Sequence, residues 1–222
     1  MNVGIIVAMG KELNLILPLL EQHATEIKNN TVFHTGIVNG NHIALMQCGI
    51  GKVNAAIGAA TLIDSFNPSL VINTGVAAGT GDDVAVMDIV VADNVAHHDF
   101  WCIGEEWGQV PGCPRLFGTQ SFEVDYSDPS IKQGLIVSGE KFIESKQEVD
   151  VIRSHFPQAM AVDMESAAIA QVCHIKDVPF FCMRVISDTP WCSHDNSRQY
   201  EDFWEAAPCH SFDLLRRVLN SI

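Results

Sequence analysis

Glu12, Glu165 and Asp188 are far apart in the chain, yet each follows an apolar run of the kind that forms a buried strand. "NVGIIVAM" precedes the first, "MAVDM" the second and "PFFCMRVIS" the third. In open α/β sheets ligands bind beyond the carboxyl ends of strands, so residues just past such runs are candidates for chemistry. Singly, each acid has a structural explanation. An acid in the first turn of a helix interacts favourably with the helix dipole, and Asp188 suits a turn before Pro190. Together, three carboxylates at one end of a sheet repel one another unless a ligand or a proton intervenes. That is the arrangement expected where one carboxylate stays ionised and another is held protonated. "AVDMESAAIA" (161–170) carries two acids where a strand hands over to a helix. They are expected to face different ways, Glu165 toward the site and Asp163 as a structural or helix-capping acid.

Other chemistries fit less well. "GIGK" (49–52) and "GVAAGTG" (75–81) lack the spacing of a P-loop or a dinucleotide fingerprint, and suit close backbone approach to an uncharged ligand. His97, His98 and Asp99 are adjacent on a strand-like run, so successive side chains alternate faces and chelate one ion poorly. No metal or cofactor is expected. The net charge of −14 argues against a nucleic-acid partner. The first arginine is Arg115, preceded only by Lys11, Lys28 and Lys52. Phosphate recognition favours arginine's planar fork, so few strand ends could cradle a phosphate.

These residues need a scaffold. The 222 residues, 47% hydrophobic, suffice for one substantial core, and a single domain over 1–222 is expected. No apolar run is long enough to span a membrane. "MNVGIIVAMGKELNL" reads as a first strand and not a secretory signal. The seven cysteines show no zinc spacing and are odd in number, which fits reduced thiols in a cytoplasm. Strands are expected at 2–9, 69–75, 88–99, 134–139, 160–164 and 179–188. Asn39-Gly40 marks a hairpin. A helix begins at Lys11 and is stopped or kinked by Pro18. A second, over 51–66, sets Val53, Ala56, Ile57 and Ala60 on one face. Further helices are expected at 148–156, 165–175 and 200–222, the last interrupted at Pro208. Residues 100–132 read as turns and loop. The alternation predicts an α/β fold around a mixed central β-sheet flanked by helices.

In this order, "VGIIVAMGKEL", "CGIGKVNAA", "VINTGVAAG", "MDIVVAD", "GQVPGCP", "GLIVSGEKFI", "FPQAMAVDMESAAIAQVCH", "VPFFCMRVISD" and "YEDF" run over nearly the whole chain. The sequence resembles the bacterial 5′-methylthioadenosine/S-adenosylhomocysteine nucleosidases of the purine nucleoside phosphorylase superfamily. The resemblance implies a homodimeric, nucleoside phosphorylase-like hydrolase that cleaves the N-glycosidic bond of adenine nucleosides with water, in methionine salvage. It implies that Glu12, helped by Arg184, activates the water, and that Asp188, beside Ser187, protonates N7 of the departing adenine. Met164 and Glu165 would hold the ribose. Phe142 would stack on adenine and the Ile143 backbone would bond its edge. Met9, Ile50, Val76 and Ala77 would line the sugar side. Tyr200, where the family more usually has phenylalanine, and Pro111 of the partner subunit would border the 5′ pocket. "FWCIGEEWGQ" after Asp99 is shorter than the usual family loop. Which 5′-substituent is preferred stays open among methylthio, homocysteinyl, deoxy and futalosine-type.

Overall fold

Alternation within the first strand sets the layers. In the computed structural model, which describes residues 1–122, 125–192, 195–206 and 213–222, β1 (Asn2–Val7) sends Val3, Ile5 and Val7 to one side of the sheet and Ile6 to the other. α1 (Gly10–Ile16) then gives way to a short 3-10 turn, Leu17–Leu19, with Pro18 in its first turn. Proline fits there because no helical N–H is needed, and it ends the α-helix as expected.

β2 (Glu21–Lys28), β3 (Thr31–Val38) and β4 (Asn41–Gln47) form an antiparallel set. Asn39 and Gly40 make the expected turn, both with positive φ (49° and 80°). β2 was not expected. Its sequence "EQHATEIK" is mostly exposed, so it shows no apolar alternation, as suits a charged edge strand. The turn that follows it into β3, Asn29-Asn30, also has positive φ at both residues.

α2 (Lys52–Phe66) corrects a second expectation. Its buried face is Ala55, Gly58, Ala59, Leu62 and Ile63, whereas Val53 is 69% and Ile57 61% exposed. Small residues let the helix lie close on the sheet: a Cβ at Gly58 would collide with Cys48 and Met46.

β5 (Leu70–Gly79) runs four residues beyond its expected end and is the hinge of the architecture. It pairs with β1 and β10 (Phe180–Asp188) in parallel, and its last residues meet β9 (Ala159–Asp163) antiparallel. β6 (Ile89–His97) pairs with β10, with the two-residue β7 (Phe117–Gly118) and with β8 (Ile131–Ser138), and β8 pairs with β9. Strands β5, β10, β6, β8 and β9 therefore close into a ring, while β1, β4, β3 and β2 extend from β5.

α2 and α4 (Ser166–Ile175) cover one side of the sheet. α1, α5 (Asn196–Ala206) and α6 (Asp213–Asn220) cover the other, and α3 (Lys146–His155) packs on β8 and β9. α5 starts four residues earlier than expected; Pro208 lies outside the described residues. In α6, Leu214, Leu215, Val218 and Leu219 make one buried stripe at helical spacing. Each such side chain contributes roughly 2 kcal/mol by leaving water. The result is the α/β fold with a mixed sheet. No described helix is long and apolar enough to cross a membrane, and the six described cysteines are free.

Candidate active site

The ends of β1, β5, β9 and β10 and the segment after β8 border one cavity. Glu12, in the first turn of α1, is 2% exposed there. Its Oε2 accepts the N–H groups of Ala8 and Met9 at 2.9 Å each, and its Oε1 accepts that of Val76 at 3.1 Å. A Cβ at Gly75 would strike this carboxyl, so glycine there is what allows β5 to come so near. Burial raises the Glu12 pKa, while Arg184 and the N–H donors oppose the rise.

Arg184 stands behind the cavity wall and is 2% exposed. Its Nε and Nη2 reach Asp163 Oδ2 at 2.9 and 2.8 Å, and Nη2 also donates to Asn73 Oδ1 at 2.5 Å. Asp163 is held further by the Ser138 hydroxyl at 2.5 Å, by the Ser166 hydroxyl, and by the Glu165 and Ser166 N–H groups at 3.3 Å. A buried charge persists only when it is paired and hydrogen-bonded, and both conditions are met here.

Glu165 sits at the N-terminal boundary of α4, and its Oε1 accepts the Gly51 N–H at 2.8 Å. Its pKa is pushed up to about 7, first by burial and then by the neighbouring Asp163 carboxylate. Both acids border the cavity, against the expectation that they face apart, because residues two apart at a strand end share a side. Their partners separate them instead: Asp163 is consumed by internal bonds that hold the start of α4, and Glu165 is not.

Asp188, the last residue of β10, is 1% exposed. Oδ1 accepts the Ser187 hydroxyl at 2.5 Å, while Oδ2 is buried with no hydrogen-bond partner among the described residues. Burial raises its pKa, and the Ser187 and Asn196 side chains oppose the rise. Asn196 Nδ2 also donates to Ile143 O at 3.2 Å. Phe142 and Tyr200 meet edge to face with centroids 5.6 Å apart, and the Tyr200 hydroxyl points to Met9 Sδ at 3.3 Å.

The phosphorylase superfamily model matches residues 2–220. A 5′-methylthioadenosine/S-adenosylhomocysteine nucleosidase of Geobacillus sp. (strain WCH70) is 37% identical, with 100% of this chain and 99% of that protein covered. The chain belongs to this nucleosidase family. The nucleosidase of Maridesulfovibrio salexigens is 38% identical with both chains fully covered. The S. pneumoniae nucleosidase, solved with the transition-state inhibitor MT-ImmA, superposes with a TM-score of 0.93 at 32% identity, covering 100% of this chain and 99% of that one. The Neisseria meningitidis nucleosidase in complex with methylthio-immucillin-A gives 0.92 at 34% identity, with the same coverage.

Of the residues that the family resemblance pointed to, the polar Glu12, Glu165, Ser187 and Asp188 share the cavity. So do Met9, Ile50, Val76, Ala77, Phe142, Ile143, Met164 and Tyr200. Two do not line it. Arg184 reaches Glu12 only through its charge, and Pro111 is exposed away from the wall. Sequence reasoning passed over Lys141 and Val162 on the wall and Asn196 behind it. Asn196 carries no motif, and only the packing of α5 on β10 reveals it.

Proposed function

We propose that this chain hydrolyses the N-glycosidic bond of 5′-methylthioadenosine and S-adenosylhomocysteine, and of 5′-deoxyadenosine, releasing adenine and the 5-substituted ribose. The observation that carries this reading is the pairing of two buried acids with opposite support. Asp188 keeps one oxygen free of hydrogen-bond partners among the described residues, whereas Glu12 is wrapped by main-chain N–H groups. Adenine leaves badly as an anion. A protonated Asp188 gives its proton to N7, the C1′–N9 bond breaks, and the sugar becomes oxocarbenium-like. Water forms the new bond to C1′ and yields its proton to Glu12. Glu12 and Glu165 supply negative charge beside the transient cation in a site shielded from water. Ribose hydroxyls bond to Glu165 and pack on Met164. Adenine stacks on Phe142 and bonds the Ile143 backbone. Arg184 keeps Glu12 ionised from behind.

Phosphate as the nucleophile fits the site less well. The wall carries Glu12, Asp163, Glu165 and Asp188 against one cation, Lys141, which is paired with Glu148. Arg184 is committed to Asp163 and Asn73. The test is adenine release from methylthioadenosine with and without phosphate. Free 5-methylthioribose, independent of phosphate, is expected; a ribose-1-phosphate product or strict phosphate dependence overturns the hydrolase reading. Comparison of the four adenine nucleosides with different 5′ groups then ranks the substituent.

The functional unit we propose is a cytoplasmic homodimer. Ile50 on the cavity wall, Val53 and Ile57 on α2, and Trp101 and Ile103 in the segment after β6 are exposed apolar residues. Pro111 does not reach its own chain's cavity, in keeping with a role in the partner's 5′ pocket. Sedimentation of a fully active monomer would contradict it.

A further inference from the structure

Asp99, Lys52 and Glu140 form a network outside the cavity. Lys52 Nζ donates to Asp99 Oδ1 at 2.5 Å, Glu140 N–H to Asp99 Oδ2 at 2.8 Å, and Lys52 N–H to Glu140 Oε1 at 2.9 Å. The three residues come from different places: the segment after β6, the first residue of α2 and the segment after β8. The N–H next to that of Lys52 belongs to Gly51, and it donates to Glu165 Oε1 at 2.8 Å. Two successive main-chain donors are thus taken by two carboxylates, one facing the cavity and one outside it.

The loop that carries these donors is tied at Gly49 N–H to Ala8 O at 3.2 Å and at Ile50 O by Asn54 Nδ2 at 2.7 Å, while the Gly51 and Lys52 N–H groups find their acceptors on other elements. Gly49 and Gly51 both have positive φ (91° and 96°), and Ile50 between them is 53% exposed. Gly51 has no side chain to cap α2, and Glu140 supplies the missing acceptor from another element. Glu140 is itself fixed through Asp99. Lys52 stands between the acids, and its charge together with the helix N-terminus offsets theirs. We propose that Asp99, Lys52 and Glu140 act as a clamp that positions Glu165 for the ribose hydroxyls by fixing the Gly51 peptide. The proposal rests on the sugar-binding reading of Glu165 given above.

The clamp acts on the sugar end and not on the purine end, and that asymmetry is testable on the full-length protein. Glu140→Ala removes the acceptor for Lys52 N–H, whereas Glu140→Gln retains an oxygen for it. Turnover of methylthioadenosine is measured beside calorimetric binding of adenine, which has no sugar. With Glu140→Ala and Asp99→Asn, kcat/KM is expected to fall about 10-fold, as a displaced positioning group implies. Adenine affinity is expected to stay at the wild-type level, and Glu140→Gln to restore turnover to within about 3-fold. Wild-type turnover in Glu140→Ala, or equal loss of turnover and adenine affinity, overturns the clamp. A Glu165→Gln arm separates the premises. If that variant loses turnover while the clamp variants do not, only the clamp fails. If it keeps wild-type kinetics, the sugar-binding reading fails and the clamp with it.

Discussion

The two acids proposed for proton transfer are both buried, yet the chain supports them in opposite ways. Glu12 accepts N–H groups from Ala8, Met9 and Val76 and feels the Arg184 charge. Asp188 accepts the Ser187 hydroxyl, and its second oxygen has no hydrogen-bond partner among the described residues. Burial raises the pKa of both. Only Glu12 has a full positive charge opposing the rise. On the mechanism proposed above, the first acts as the base and the second as the acid, and the different surroundings favour that division of roles. The lesson is that burial alone does not assign a role; the donors and charges arranged around a buried carboxyl do.

The largest test is to break both ends in turn. Asp188→Asn keeps the shape but has no acidic proton, and kcat is expected to fall on the order of 10⁴-fold, roughly 5 kcal/mol of barrier. Glu12→Gln is expected to cost on the order of 10³-fold. Both are read from steady-state adenine release. The pH profile of kcat/KM sharpens the contrast. Activity should rise as pH passes upward through the pKa values of Glu12 and Glu165, because the proposed base and the proposed anion beside the sugar must both be ionised. It should fall above the Asp188 pKa, because the acid must hold its proton. Asp188→Asn should abolish the alkaline limb and leave the acid limb. Retention of both limbs would remove Asp188 as the proton donor.

Much of this contrast was legible in the sequence because strand cores are written as continuous apolar runs. β1, β9 and β10 could be placed to within about two residues, and the acids at their ends followed. What was not legible depended on contacts between distant segments. β2 is an exposed edge with no alternation to read, though the Asn29-Asn30 pair was a usable turn signal. α2 buries its small residues and exposes Val53 and Ile57, the reverse of what side-chain size suggests. The Arg184–Asp163 pair joins residues 21 apart, and nothing local in either segment announces it.

That pair gives the next test. Arg184→Met leaves Asp163 as an uncompensated buried charge, and a stability loss of about 3–5 kcal/mol is expected in urea unfolding. The double variant Arg184→Met with Asp163→Asn should recover part of it. In any Arg184→Met protein that folds, the acid limb of the pH profile should move upward, since Glu12 has lost the charge that opposes its raised pKa. An unmoved limb would confine Arg184 to a structural role.

Glu165 separates stability from activity. Its pKa rises from 4.5 to about 7 on folding, so the folded state holds this proton to higher pH than the unfolded chain does. The sign follows directly: the native state loses stability as pH rises from about 4.5 through about 7, by roughly 3 kcal/mol in all. Glu165→Gln still accepts from Gly51 N–H but carries no charge. It is expected to flatten that decline and to unfold at higher urea than wild type at pH 8, while its turnover falls. Equal stability of the two proteins at pH 8 would show that Glu165 carries no such cost.

Tyr200 should give the smallest effect, and its smallness is informative. Its ring packs edge to face on Phe142 and its hydroxyl donates to the Met9 thioether, a weak acceptor. Tyr200→Phe keeps the ring and removes a bond worth at most about 1 kcal/mol. With a methylthio substrate, kcat is expected to change less than about 3-fold, because an apolar 5′ group has no use for the hydroxyl. With a substrate whose 5′ substituent carries charged or hydroxyl groups, the same variant should raise KM more than it does for methylthioadenosine. If the two KM values shift together, the hydroxyl does not face the 5′ group. Tyr200 then belongs with the packing of the wall, and the difference between the Glu12 and Asp188 ends alone accounts for the chemistry.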